Sequence, residues 1–253
     1  MYKGFYNLTS GMLTQQRHLN VVGNNMVNIS TSGFKESRYT ATTFDDVMYS
    51  RVGNKEKVYT DIGRQSYIRA NSEITVIYDQ GIPEPTNIPL DFAIMGDGFF
   101  AIQDDEGNTA YTRAGNFSLD DEGYLCLPGM GQVLSPQRQP IYLGTDKIEG
   151  DRQGIIYYTA DNSAIAQLGI FAFEDNGVLE RNERGMFFDP NGDPQAVQTP
   201  DVLNKYLERS NSDMVKQMTE MITFQRSLQS AAQVSGMYDQ MMSRITQEIG
   251  RMQ

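Results

Sequence analysis

The run Leu90-Asp91-Phe92-Ala93-Ile94-Met95-Gly96-Asp97-Gly98-Phe99-Phe100-Ala101-Ile102 reads as two short strands around a glycine turn. Each apolar piece is long enough for a strand and too short for a helix, and glycine supplies the positive φ that a tight turn requires. The pattern repeats downstream. Asp104-Asp105-Glu106-Gly107-Asn108 separates Phe99–Gln103 from Thr109–Thr112, and Asp120-Asp121-Glu122-Gly123 separates Asn116–Leu119 from Tyr124–Leu127. Both predict hairpins. Runs at Gly154–Tyr158, Ile165–Phe173, Met186–Phe188 and Ala196–Gln198 extend the same reading toward Leu203.

Outward from this region the apolar period changes. Leu8, Met12, Leu19, Val22, Met26 and Ile29 recur at helical spacing from the first residues onward, with Met1, Phe5 and the polar Gln15 on the same seam. Asn7, Gln16, Arg17, Asn20 and Asn24 intervene, so the segment predicts one amphipathic helix about 40 Å long at 1.5 Å per residue. The chain's other end repeats the design. Ser210-Asn211-Ser212-Asp213 forms a capping cluster, followed by Met214, Met218, Met221, Ile222 and Leu228 and then Val234, Tyr238, Met241, Ile245, Ile249 and Met252. A methionine-rich seam suits a surface that must accept several neighbours, because unbranched thioethers fill irregular gaps.

These signals predict an α+β protein in which discontinuous, coiled-coil-like terminal helices accompany a central, mostly antiparallel β domain. The expected division is an N-terminal helix and motif over 1–35 and an extended connector over 36–75. A β domain over 76–204 and a C-terminal helix over 205–253 complete it, the last pairing with the first. Neither seam alone buries enough to be stable, which is why the two ends are expected to pair.

Charge follows the same division. The chain of 253 residues carries a formal charge of −11. Residues 1–40 hold Lys3, Arg17, Lys35 and Arg38 against Glu36, whereas 212–253 balance Lys216, Arg226, Arg244 and Arg251 with Asp213, Glu220, Asp239 and Glu248. The acidic excess therefore belongs to the middle. Nucleic-acid binding needs a clustered positive surface, which the sequence does not offer. Nor does any stretch approach the eighteen or so apolar residues of a membrane span, so no membrane insertion is expected. The first residues, Met1-Tyr2-Lys3-Gly4-Phe5-Tyr6, lead into a polar amphipathic stretch without the apolar run of a cleaved signal peptide.

Chemistry-bearing residues are sparse. Cys126, the one cysteine, lies in the apolar run Tyr124-Leu125-Cys126-Leu127 and reads as a small buried residue. His18, the one histidine, falls on a polar helix face with no carboxylate near it in sequence and reads as a solvated surface group. Asp189-Pro190-Asn191-Gly192-Asp193 opens like a calcium loop, but Pro194 and Pro200 occupy its sixth and twelfth positions and no glutamate closes it. Gly129-Met130-Gly131 lacks the third glycine of a dinucleotide site. No catalytic residue, metal or cofactor is expected.

Three segments resemble the bacterial flagellar rod and hook family, in that family's order. Asn25, Asn28, Thr31, Gly33, Phe34 and Lys35 fit its N-terminal motif, with Ser30 and Ser32 departing from the Asn and Pro found there. Gly96, Gly98, Phe99 and Phe100, followed by Tyr111, Thr112, Arg113 and Gly115, resemble its central signature. Gln225 and Arg226, within Glu220–Leu228, resemble its C-terminal motif, although Leu228 and Ala231 replace a Tyr and an Asn. Length and layout are similar to the distal rod protein or its proximal rod relative and short for a hook protein.

The resemblance implies a structural subunit of the flagellar basal body, exported without a cleaved signal through the flagellar export apparatus. It also implies polymerisation through the helical ends with copies of itself and other rod and hook proteins, in a tube that transmits torque. A second reading, of another class, is a surface adhesin or binding module carried on a coiled-coil stem.

Overall fold

The computed structural model describes the backbone of residues 2–43, 47–52, 59–65, 69–104, 107–182, 184–190 and 194–251. Side chains are described over 4–41, 73–104, 107–182, 184–190 and 194–247. Asn191–Asp193 of the calcium-like stretch, Gly53-Asn54-Lys55 of the connector and the side chains of Met1, Ile249 and Met252 lie outside the described residues. The architecture is α+β, with helices at both ends and an antiparallel β region between them. Two compact units make up the chain, one of residues 1–26, 37–75 and 213–253, the other of 27–36 and 76–212.

In the first unit, helix α1 runs Tyr2–Val27 and helix α2 runs Met214–Arg251. Asp213 caps α2 as its sequence predicts. The Asp213 carboxylate accepts from the Val215 N–H at 2.8 Å and the Lys216 N–H at 3.3 Å, two donors with no carbonyl to meet inside the helix. The stretch read as an extended connector holds four strands. Ser37–Thr43 pairs with Arg69–Val76, and Val47–Val52 forms an antiparallel hairpin with Tyr59–Gln65.

The second unit centres on strand Phe99–Gln103. One edge pairs antiparallel with Thr109–Thr112; the other takes Gly131–Val133 along its C-terminal half and Ile170–Ala172 along its N-terminal half. Both faces of this strand are covered. Phe100 and Ile102 join a core with Phe92, Leu125, Ile141, Leu143 and Ile156, while Phe99 and Ala101 join Tyr111, Phe171 and Phe187 on the opposite side. Burial on two faces is why the run is continuously apolar and does not alternate.

Both acidic turns close hairpins as predicted, with Gln103 opposite Thr109 and Leu119 opposite Leu125. The Gly96-Asp97-Gly98 turn also forms, with φ of 90° and 131° at its glycines. The strands it separates do not pair with each other, however: Phe92–Met95 pairs antiparallel with Asp201–Asn204. A Cβ on Gly98 would stand 2.8 Å from Ile170 Cγ2, so the turn delivers the chain to a new neighbour across a gap only glycine fits. Ile165–Phe173 is likewise split, into Ala164–Gln167 and Ile170–Ala172, which belong to different sheets.

Candidate functional site

Among the described residues, three contacts show how α1 and α2 meet. A Cβ on Gly4 would lie 3.0 Å from the Tyr238 hydroxyl, the His18 ring stacks on Phe224 at 4.5 Å, and the Asn25 amide approaches the Gln217 side-chain oxygen at 3.4 Å. Residues ascending along α1 meet residues descending along α2, so the helices run antiparallel. Positions 4, 18 and 25 share one heptad position, as do 217, 224 and 238. The residues in these contacts are small, polar or aromatic. Asn25 also donates to the Ser37 carbonyl at 2.8 Å and accepts from the Ser37 N–H at 3.0 Å, tying α1 to the strand that follows it.

This pairing corrects the reading of His18. It is half-buried between aromatic rings, stacked on Phe224 and edge-on to Tyr39 at 4.6 Å. The sequence could not show this, because its neighbours are distant along the chain.

The residues read as an assembly seam are divided between half-buried and exposed positions. Met221, Leu228, Tyr238 and Ile245 of α2 are half-buried, whereas Met214, Met218, Ile222, Val234 and Met241 are exposed, together with Val215 at 73% and Met237 at 64%. On α1, Leu8, Met12, Leu19 and Met26 are half-buried, as is Ile29 beyond it in the second unit, while Phe5, Tyr6 and Leu13 are exposed. Val22 is only 4% exposed and is committed to packing within its own chain. So many large apolar side chains along two helices is more than scattered surface residues explain. Nothing in the hydropathy pattern separated the two sets, because methionine occurs in both.

The N-terminal and central motif residues meet in the second unit, around a residue the motif reading missed. Glu208 is 1% exposed. One carboxylate oxygen accepts from Lys35 Nζ at 2.6 Å and the Gly81 N–H at 2.8 Å, and the other from Arg113 Nη1 at 3.3 Å. Its backbone carbonyl accepts the Gly33 N–H at 2.8 Å. Lys35 also donates to the Asp79 carbonyl at 2.8 Å and Arg113 to the Gly96 carbonyl at 2.7 Å. Burial pulls the Lys35 ammonium and the Arg113 guanidinium below their ordinary pKa values, and Glu208 opposes this in both.

Close backbone approach surrounds this hub. Gly33 takes φ 68°, and Gly115 sits where a Cβ would stand 1.7 Å from the Phe92 carbonyl oxygen. Asn28 and Thr31 shape the turn that leads in, the Thr31 N–H donating to the Asn28 carbonyl at 3.1 Å. Phe34 is buried beneath the Arg181 guanidinium at 4.3 Å. Burial also lowers the pKa of Arg181. Tyr111 and Thr112 are buried beside Arg113, whereas Gln225 and Arg226 stand exposed on α2 and do not join the hub. Glu208 was legible only as an unremarked acid in Tyr206-Leu207-Glu208, with its partner Lys35 far away in sequence.

Three family models match successive stretches of the chain. Residues 5–35 match the family model for the flagella basal body rod protein, residues 93–170 that for the flagellar hook protein FlgE/F/G D1 domain, and residues 203–248 that for the flagellar basal body rod FlgEFG protein C-terminal region. The flagellar basal-body rod protein FlgG of Caulobacter vibrioides is 32% identical over 264 aligned residues, covering 94% of this chain and 96% of that protein. The chain belongs to the flagellar rod and hook protein family.

Other members of that family give the same coverage. FlgG of Bacillus subtilis is 31% identical over 97% of this chain and 98% of its own, and the flagellar hook-basal body complex protein FlhO of the same organism is 27% identical over 99% and 100%. The hub draws on all three matched regions of the rod and hook family, with Lys35 in the first, Gly96 and Arg113 in the second and Glu208 in the third.

Proposed function

We propose that this chain is a structural subunit of the flagellar basal-body rod, located in the basal body and carrying torque as part of a rigid tube. The observation that carries this reading is the outward apolar face of both terminal helices, in a chain whose relatives over nearly its whole length are named as rod proteins. Apolar side chains left outside a helix pair gain about 1.5–3 kcal/mol each when fully covered, so a polymer of like chains is the state that satisfies them. Its partners are copies of itself and other rod and hook proteins, reached after passage through the flagellar export apparatus.

The role proposed is mechanical, in keeping with the names of the rod relatives. The single histidine is engaged between aromatic rings, and among the described residues no group of His, Cys, Asp or Glu side chains is arranged to hold a metal. No helix among the described residues is long and apolar enough to cross a membrane. An adhesin with a coiled-coil stem also needs a helical end, but the relatives' names over 94–97% of the chain favour the rod.

Deleting the gene in its host and isolating basal bodies tests the proposal. Loss of complete rods and hooks, restored by the wild-type gene, is expected; intact hook-basal bodies and normal swimming in the deletion strain would refute it.

A further inference from the structure

Strand Pro83–Pro85 pairs antiparallel with Tyr206–Glu208, placing Pro83 opposite Glu208, Glu84 opposite Leu207 and Pro85 opposite Tyr206. Just beyond this strand on either side, the Arg209 N–H donates to the Ile82 carbonyl at 3.0 Å and the Thr86 N–H donates to the Lys205 carbonyl at 2.9 Å. Antiparallel partners exchange hydrogen bonds at every second residue, so Ile82, Glu84 and Thr86 direct their backbone groups toward Tyr206–Glu208. Pro83 and Pro85 therefore turn theirs to the other edge.

Among the described residues no strand pairs with that other edge, and Glu84 and Pro85 are exposed while Pro83 is half-buried. An edge of this kind invites another strand, because its unpaired N–H and C=O groups continue a ladder. Ile82, 74% exposed, and Ile88, 51% exposed, would add apolar contact. Yet the edge offers carbonyls alone. Proline has no N–H, and its ring fills the space where an incoming carbonyl would sit. We propose that Pro83, Glu84 and Pro85 form an edge block, which keeps the β body from pairing edge to edge with a second copy of the chain.

The symmetry of such a pair gives each of the three residues a part. Two identical strands that meet antiparallel about a two-fold axis at Glu84 put Pro83 of each copy opposite Pro85 of the other. Both positions are ones where hydrogen bonds would be exchanged, and every N–H donor they call for is missing. Glu84 would face its own counterpart at the closest side-chain spacing, where like charges oppose pairing. The edge is also short, since Asn87 takes φ 60° and turns the chain away soon after Pro85. None of these features involves the terminal helices.

The full-length wild type, Pro83→Thr/Pro85→Thr, and the triple variant that adds Glu84→Thr are compared by analytical ultracentrifugation. Hydrogen exchange over residues 83–85 is read in dilute and in concentrated protein. The double variant should self-associate about tenfold more strongly than the wild type, as a few net ladder hydrogen bonds allow. The triple variant should associate more strongly again, because the opposed charges are gone. The new amides at 83 and 85 should exchange freely in dilute protein and become protected as it associates. Pro83→Ala/Pro85→Ala adds the same donors with smaller side chains and decides the question should threonine upset the fold. Protection of the new amides in dilute protein would show that they do not face the outer edge, and variants that associate no more than the wild type would show that the prolines do not close it. Either result would overturn the proposal.

Discussion

Gly33 approaches Arg113 so closely that a Cβ on it would fall 2.2 Å from the Arg113 carbonyl carbon and 2.2 Å from the Ala114 nitrogen. Backbone is therefore in contact with backbone where the first motif segment meets the second, and φ of 68° at Gly33 adds a conformational reason for glycine.

Gly33→Ala should accordingly destabilise the chain by at least about 1–3 kcal/mol, from the left-handed backbone alone, with the displaced strand adding to it. Gly11→Ala is the control. It sits within α1 with nothing inside 4 Å of a built Cβ, and should be neutral or stabilising by about 0.5–1 kcal/mol. Urea denaturation of both variants separates the two; equal midpoints would contradict the close approach.

Removing the Glu208 charge should be far costlier than breaking a surface pair. Glu208→Gln leaves Lys35 and Arg113 buried without a carboxylate, a loss of about 3–5 kcal/mol. Arg209 and Glu84 form an ion pair of good length, 2.9 Å, but both are more than half exposed. Their coupling should be only about 0.2–1 kcal/mol by double-mutant cycle. A small Glu208→Gln effect would mean that the buried cluster contributes little.

Tyr78 makes a prediction at alkaline pH. It packs against Phe99 and Phe187, and burial pushes its phenol from 10.0 up to about 12, with Arg181 opposing. Between pH 10 and 12 the unfolded chain loses this proton and the folded chain keeps it. Stability present below pH 10 is thus lost as pH rises through that window. Tyr78→Phe keeps the ring and removes the proton, so its stability should fall less steeply from pH 10 to 12. Parallel curves for wild type and variant would show that Tyr78 ionises freely in the fold.

The sequence carried the element types further than their partners. Terminal helices and hairpins were legible because each is a local pattern: the heptad of Leu8 and Met12, the capping Asp213, the acidic turn at Asp120–Gly123. The glycine turn at Gly96–Gly98 was legible too, but not that Phe92–Met95 pairs with Asp201–Asn204, since register between distant strands leaves no local mark. The helix contacts escaped for a different reason. A hydropathy pattern finds apolar residues, and these contacts include Gly4, His18, Asn25 and Gln217. Glu208 was missed because an acid becomes a core residue only through its partners, here Lys35 and Arg113.

The division of α2 between half-buried and exposed positions gives the most direct measurement. A gene-deletion strain is complemented with Met218→Asp or Met237→Asp on the outward face, or with Gln16→Asp as a polar-face control on α1, and complete hook-basal bodies are counted by electron microscopy beside a swimming assay. Val22→Asp is unsuited to this purpose, since Val22 is buried within its own chain and the change would damage the subunit itself. An exposed methionine replaced by aspartate costs the isolated subunit little, but in the proposed polymer it would place a charge in an apolar contact. Both outward variants, present at wild-type levels with unchanged melting transitions, should give no complete rods and no swimming, while Gln16→Asp restores both. Normal rods and motility from Met218→Asp and Met237→Asp would contradict the proposed assembly.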